Sequence, residues 1–327
     1  MSKRQAAFLL AKLAFAAGAL WFLFHKIDAS RVWKSIQHAN PVCIGAGVAI
    51  YLLCVVIGGW RWQQFLAVFE IKARLRSLVC IVQIGQFFAM FMPGATGDDL
   101  TRMVYISRLA PGHTGEACAV VLFDRIIGMS SVLALALFCI PARWHLLSGT
   151  QQTYWLANGM LIAGGAVSAL GLAFFLSGRR HSERFFGACL RLLPRGKLRD
   201  ELDRMTGLLC ANKAAIARVI IAATVTQLLS CAVYCLAGLA VGVHVSLVIW
   251  FSFVPVVIAA SAFPVTVAGL GVREYLLVLF LGVLAHVAGE TALAASILVL
   301  AMMIVVCLVG GLVYILYRPK HPAPDAS

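Results

Sequence analysis

The sequence predicts an all-α polytopic integral membrane protein with about six to eight membrane-spanning helices, and three observations carry that prediction. Of the 327 residues 62% are hydrophobic and only 12% charged, with a mean hydropathy of +0.93; soluble domains carry roughly twice that charged fraction, about 25%. Apolar runs recur along the whole chain. The net charge of +14 gathers in the connections between them, as orientation in an anionic-lipid membrane requires. A soluble globular domain is excluded. No large basic module or aromatic–basic interleaving is present, so no nucleic-acid partner is expected.

The first apolar run follows Lys3, Arg4 and Lys12 and ends at Phe24. It lacks the short core and small-residue cleavage site of a secretory signal, so it reads as a retained span with a cytoplasmic start. Residues 25–40 form a short polar connection suited to an amphipathic helix at the far interface. Residues 41–59 form the second span, closed by the interfacial pair Trp60 and Trp62. Arg61, Lys72, Arg74 and Arg76 then place the chain back in the cytoplasm.

Residues 78–92 are different. Fifteen helical residues reach about 22 Å, short of a hydrocarbon core of about 30 Å. They lead into Pro93-Gly94-Ala95-Thr96-Gly97-Asp98-Asp99-Leu100-Thr101-Arg102. Irregular polar backbone at membrane depth survives only where protein buries it or water reaches it. The run therefore reads as a re-entrant or broken helix over 78–102. Charge bias agrees: residues 178–218 hold ten Lys/Arg against four Asp/Glu, and that segment stays cytoplasmic only if 78–92 does not cross.

Residues 117–140 and 154–176 are spans, and the basic segment 178–218 has the apolar spacing of amphipathic helices on the headgroups. Residues 219–243 and 291–317 are spans in the second half, and 318–327 form a cytoplasmic tail. Between them lies a second Pro/Gly-Arg motif at 263–274, Pro264 through Gly269, Gly271, Arg273 and Glu274. The flanking runs are compatible with two full crossings or with one re-entrant hairpin. A hairpin would enter from the outside, opposite to the first, giving an inverted repeat. The whole chain is thus one transmembrane domain, with halves at 1–177 and 219–317. The plainer reading makes both motifs connecting loops.

Charged residues inside apolar spans normally face a cavity or a partner. Arg102, Arg125 and Arg273 offer planar guanidinium forks for a phosphate headgroup, while Gly94, Gly97, Gly269 and Gly271 allow close backbone approach to an anion. Gln83 and Gln86, three apart on a helix face, add neutral hydrogen bonds. Asp98, Asp99, Asp124 and Glu274 are expected to position those arginines as ion pairs, or to carry a proton. The ten cysteines include no Cys-x-x-Cys pair and read as packing residues. No catalytic motif, metal-ligand spacing or cofactor-binding signature appears. Neither a catalytic residue nor a cofactor is expected.

At these positions the chain resembles the lysylphosphatidylglycerol synthase transmembrane, or flippase-like, family. The matching residues are Pro93-Gly94-x-x-Gly97-Asp98-x-x-x-Arg102, Asp124-Arg125-x-x-Gly128 and Pro264-x-x-x-x-Gly269-x-Gly271-Val272-Arg273-Glu274. The family's second motif usually reads Glu-Arg, and Asp124 keeps the charge. The resemblance implies a bacterial inner-membrane protein, with both termini cytoplasmic, that moves a lipid between leaflets. It covers a stand-alone member without the fused aminoacyl-transfer domain, hence without synthase activity. The lipid stays open among phospholipids, polyprenyl-linked sugars and hopanoid derivatives. The alternative is a non-transporting accessory subunit for a lipid-modifying, glycosyltransfer or hopanoid enzyme; a biosynthetic partner or self-association fits either reading.

Overall fold

The computed structural model describes residues 29–91, 96–109, 114–141, 151–176, 207–209, 211–262 and 271–317. Among these residues the regular structure is helical, with no strand. The first span and most of the basic 178–218 segment lie outside the described residues, as do Gly94 and Gly269.

Helix α1 (Ala29–Gln37) is short and amphipathic. Its Val32 is buried against Leu293 and Ala294. Then α2 (Pro41–Val68) starts on Asn40, whose side chain accepts from the Val42 N–H, with Pro41 at the first helical position. Two shorter helices follow, α3 (Leu75–Phe91) and α4 (Thr96–Leu109). Next come α5 (Thr114–Cys139) and α6 (Gln151–Leu176). The second half holds α7 (Lys213–Ala240), α8 (Leu247–Ala262), α9 (Val272–Ala285) and α10 (Gly289–Leu316). Four described helices are long and apolar enough to cross a membrane: α2, the 120–139 part of α5, α7 and α10. This is a polytopic helical membrane protein.

The helix lengths repeat. In the first half α2 to α5 have 28, 17, 14 and 26 residues; in the second, α7 to α10 have 28, 16, 14 and 28. Packing follows the same exchange. The helices α2 and α7 form the most extensive contact, α3 lies on α10 as α8 lies on α5, and α10 touches α2 as α5 touches α7. The central pair is antiparallel. The Asn40 N–H donates to the Ala240 carbonyl at 2.9 Å, the Cys54 thiol faces the Thr226 carbonyl at mid-length, and Phe65 and Leu66 share a cluster with Ala215 and Ile216. The two halves thus match in helix length and in the pattern of their contacts, around an antiparallel central pair.

In each half the two short helices double back on each other. Gly97 at the start of α4 rests against the Phe88 carbonyl, where a Cβ would overlap backbone. In the other half Phe253 of α8 stacks on Phe280 of α9 with centroids 5.4 Å apart. The helix α2 runs nine residues past Gly59. Trp62, one of the pair expected to close this span, is fully buried within the protein.

Candidate functional site

Three helices of the first half bring six charged side chains together. Arg61 lies on α2, Asp98, Asp99 and Arg102 on α4, and Asp124 and Arg125 on α5. Arg102 meets Asp98 one turn earlier through two contacts of 2.6 Å, from Nε to Oδ1 and from Nη2 to Oδ2. Its third nitrogen, Nη1, donates to Asp124 Oδ2 at 3.2 Å. Arg61 donates to the same Asp124 from Nη2 to Oδ2 at 2.9 Å, and its Nε lies 2.7 Å from Oδ1 as an ion-pair contact without hydrogen-bond geometry. The Arg102–Asp98 fork fixes geometry as well as charge. The Arg102 guanidinium also lies over the Trp62 ring, 5.0 Å from its centroid, a cation–π arrangement.

The consecutive residues Asp124 and Arg125 face different ways, as neighbours on a helix do. Asp124 turns inward and is buried; Arg125 stays at the edge and binds Asp99, Nε to Oδ2 at 2.6 Å. The six side chains carry three positive and three negative formal charges. The buried members, Arg102 and Asp124, are each partnered, as they must be, since a lone buried ion costs several kcal/mol.

Local sequence sets this up. Gly85 of α3 faces Asp98, and a Cβ there would overlap the carboxylate. Asp98 and Asp99 occupy the first turn of α4, where the helix dipole favours negative charge. Gln83 is buried and donates to the Val306 carbonyl on α10, while the Gln86 backbone carbonyl accepts from the Cys307 thiol at 3.4 Å. In this arrangement Gln83 ties α3 to α10.

The second motif forms a separate, smaller group. Gly271 caps α9 with a φ of 86°, a left-handed conformation that suits glycine. Its N–H donates to Glu274 Oε2 at 2.6 Å, and Glu274 Oε1 accepts from Arg273 Nη2 at 2.5 Å and Nε at 3.0 Å. Both side chains are buried. Tyr51 of α2 and Tyr234 of α7 are electrostatic neighbours of Arg273. Asp98 and Glu274 are each the third residue of the second arm of their helix pair. Tyr51 and Arg61 are ten residues apart on α2, about 15 Å of helical rise, so the two groups sit at different levels of the bundle.

Arg61, Trp62 and Gly85 are site residues that sequence reasoning missed. Among the described residues, no three His, Cys, Asp or Glu side chains converge as a metal ion would need.

A family comparison now decides the affiliation. The family described as Lysylphosphatidylglycerol synthase TM region matches residues 9–311, nearly the whole chain. The chain belongs to this family. Membership ties it to lipid metabolism at the membrane, and all six charged residues of the first cluster and the Arg273–Glu274 pair lie within the matched region. No curated protein matches the chain.

Proposed function

We propose that the chain moves a headgroup-bearing lipid between the leaflets of a bacterial inner membrane, acting as a translocator and not as an enzyme. The observation that supports this most is the charge-balanced cluster of Arg61, Arg102, Arg125, Asp98, Asp99 and Asp124, buried at Arg102 and Asp124, in an otherwise apolar bundle. Intramembrane charges are costly and mark substrate pathways. A lipid phosphate takes an arginine fork in the same way as a carboxylate, so each ion pair can be exchanged for a headgroup contact.

On this reading the two pairs of short helices are re-entrant and enter from opposite faces. The antiparallel repeat of α2 and α7 then supplies two related half-sites for alternating access. Arg102 and Arg125 serve the first, Arg273 the second, and Asp98, Asp99, Asp124 and Glu274 hold the arginines between binding events. Both termini lie in the cytoplasm.

The test is leaflet exchange of headgroup-labelled phospholipids in proteoliposomes, read by chemical quenching of label in the outer leaflet. Exchange above that of protein-free vesicles supports the reading. Rates no higher than those of protein-free vesicles for anionic, zwitterionic and glycosylated lipids alike, with or without a pH gradient, contradict it.

A further inference from the structure

We infer that lipids reach the first charged cluster sideways, through a portal on the α4–α5 face, with the Arg125–Asp99 pair as the outer headgroup contact and an aliphatic stripe for the acyl chains. This rests on the lipid-translocator reading and adds the route of access.

The cluster is graded. Side-chain exposure is 41% at Arg125 and 20% at Asp99, then 18% at Asp98, 9% at Arg102 and 6% at Asp124. Arg61, on the far side of Asp124, is 13% exposed, so the network is tightest around Asp124 and most open at the Arg125 edge, which belongs to α4 and α5. What flanks that edge is apolar. Leu100 and Val104, one turn apart on α4, and Leu122 and Ile126, one turn apart on α5, are about half exposed. Arg125 lies between Leu122 and Ile126 on the exposed side of α5.

Exposed aliphatic side chains occur on the other spans too, as at Leu53 and Val56 of α2 and Ile221 of α7, so what marks this face is a partly exposed guanidinium set among them. A phospholipid uses both: its phosphate meets a guanidinium while its chains stay against hydrocarbon. Arg125 comes five residues after the start of the membrane-spanning part of α5, 120–139, about 8 Å along the axis. That position suits a headgroup held just below the surface of the leaflet from which this span begins. Inward of the Arg125–Asp99 pair, Asp98, the next residue on α4, holds Arg102, and Arg102 reaches Asp124.

Leu122→Trp and Ile126→Trp narrow the portal without touching a charge. Ile221→Trp, on an exposed position of α7, is the control. In proteoliposomes the portal variants should slow headgroup-labelled lipid exchange at least fivefold, with the control unchanged and all three proteins melting together. Unchanged exchange in both portal variants overturns the portal while leaving translocation intact. An absence of exchange in the unsubstituted protein overturns both. A second readout needs no variant: phosphatidylglycerol and phosphatidylethanolamine carrying a headgroup diazirine should label peptides around Asp99 and Arg125, in competition with unlabelled lipid. Labelling confined to other helices overturns the inference.

Discussion

Arg61 and Asp124, 63 residues apart in sequence, meet through two contacts of 2.7 and 2.9 Å, and Asp124 is at the same time a partner of Arg102. One carboxylate thus joins α2, α4 and α5. Under the translocator proposal, Arg61 is the residue that keeps Asp124 neutralised when Arg102 turns to a headgroup, and Asp124 is the partner that receives Arg102 afterwards.

Removing Arg61 leaves Asp124 with Arg102 alone. We expect Arg61→Ala to destabilise the first half by about 3–5 kcal/mol, the range for breaking a buried ion pair. Arg61→Lys should recover only part of this, because an ammonium cannot reproduce the two-pronged contact. Unfolding midpoints in detergent decide it; identical midpoints for the alanine variant and the parent protein would show that the contact carries nothing.

The cluster balances three arginines against three aspartates. A net-anionic headgroup entering it needs a compensating positive charge, whereas a zwitterionic one brings its own. Asp98→Asn removes one negative charge and should shift the preference of exchange from phosphatidylethanolamine toward phosphatidylglycerol. A headgroup panel that is unchanged in this variant rules the charge argument out.

Gly85 and Gly97 both lie where the two arms of the first short-helix pair touch. Alanine at Gly85 displaces the Asp98 carboxylate, and alanine at Gly97 pushes against the Phe88 backbone. Overpacking of this kind costs about 1–3 kcal/mol, and Gly97→Ala should be the worse because backbone cannot swing aside. Comparing the two melting temperatures checks the order. Equal and unperturbed values would mean that the arms are not held this closely.

Trp62 presents its ring to the Arg102 guanidinium. Trp62→Leu keeps the site apolar but removes the π face, with an expected loss of about 0.5–2 kcal/mol from that contact on top of the cost of the cavity left at a fully buried position. Trp62→Phe should lose less than Trp62→Leu. A leucine variant as stable and active as the phenylalanine variant would remove the ring from the account.

Much of the fold was legible because membrane helices announce themselves by length and hydropathy. The short run at 78–92 is the helix Leu75–Phe91, the amphipathic connection contains α1, and the apolar runs of the second half correspond to α7–α10. The boundary of α2 was not legible. Trp60-Arg61-Trp62 after an apolar run has the composition of a membrane interface, and only a tertiary partner distant in sequence shows that Arg61 and Trp62 belong inside. Gly85 was equally hidden, since a glycine in an apolar helix does not reveal what rests on it. The opposite facings of Asp124 and Arg125 follow from helical geometry, but which of them turns inward depends on where α2 and α4 pack.

The central claim is that the arginine clusters carry lipid across. Headgroup-labelled lipid exchange in proteoliposomes should be compared for the unsubstituted protein, Arg102→Ala and Arg273→Ala, with each protein's fold verified by its melting curve. The account predicts rapid exchange in the first and a loss of tenfold or more in each folded variant. Exchange at the parental rate in either folded variant would contradict it.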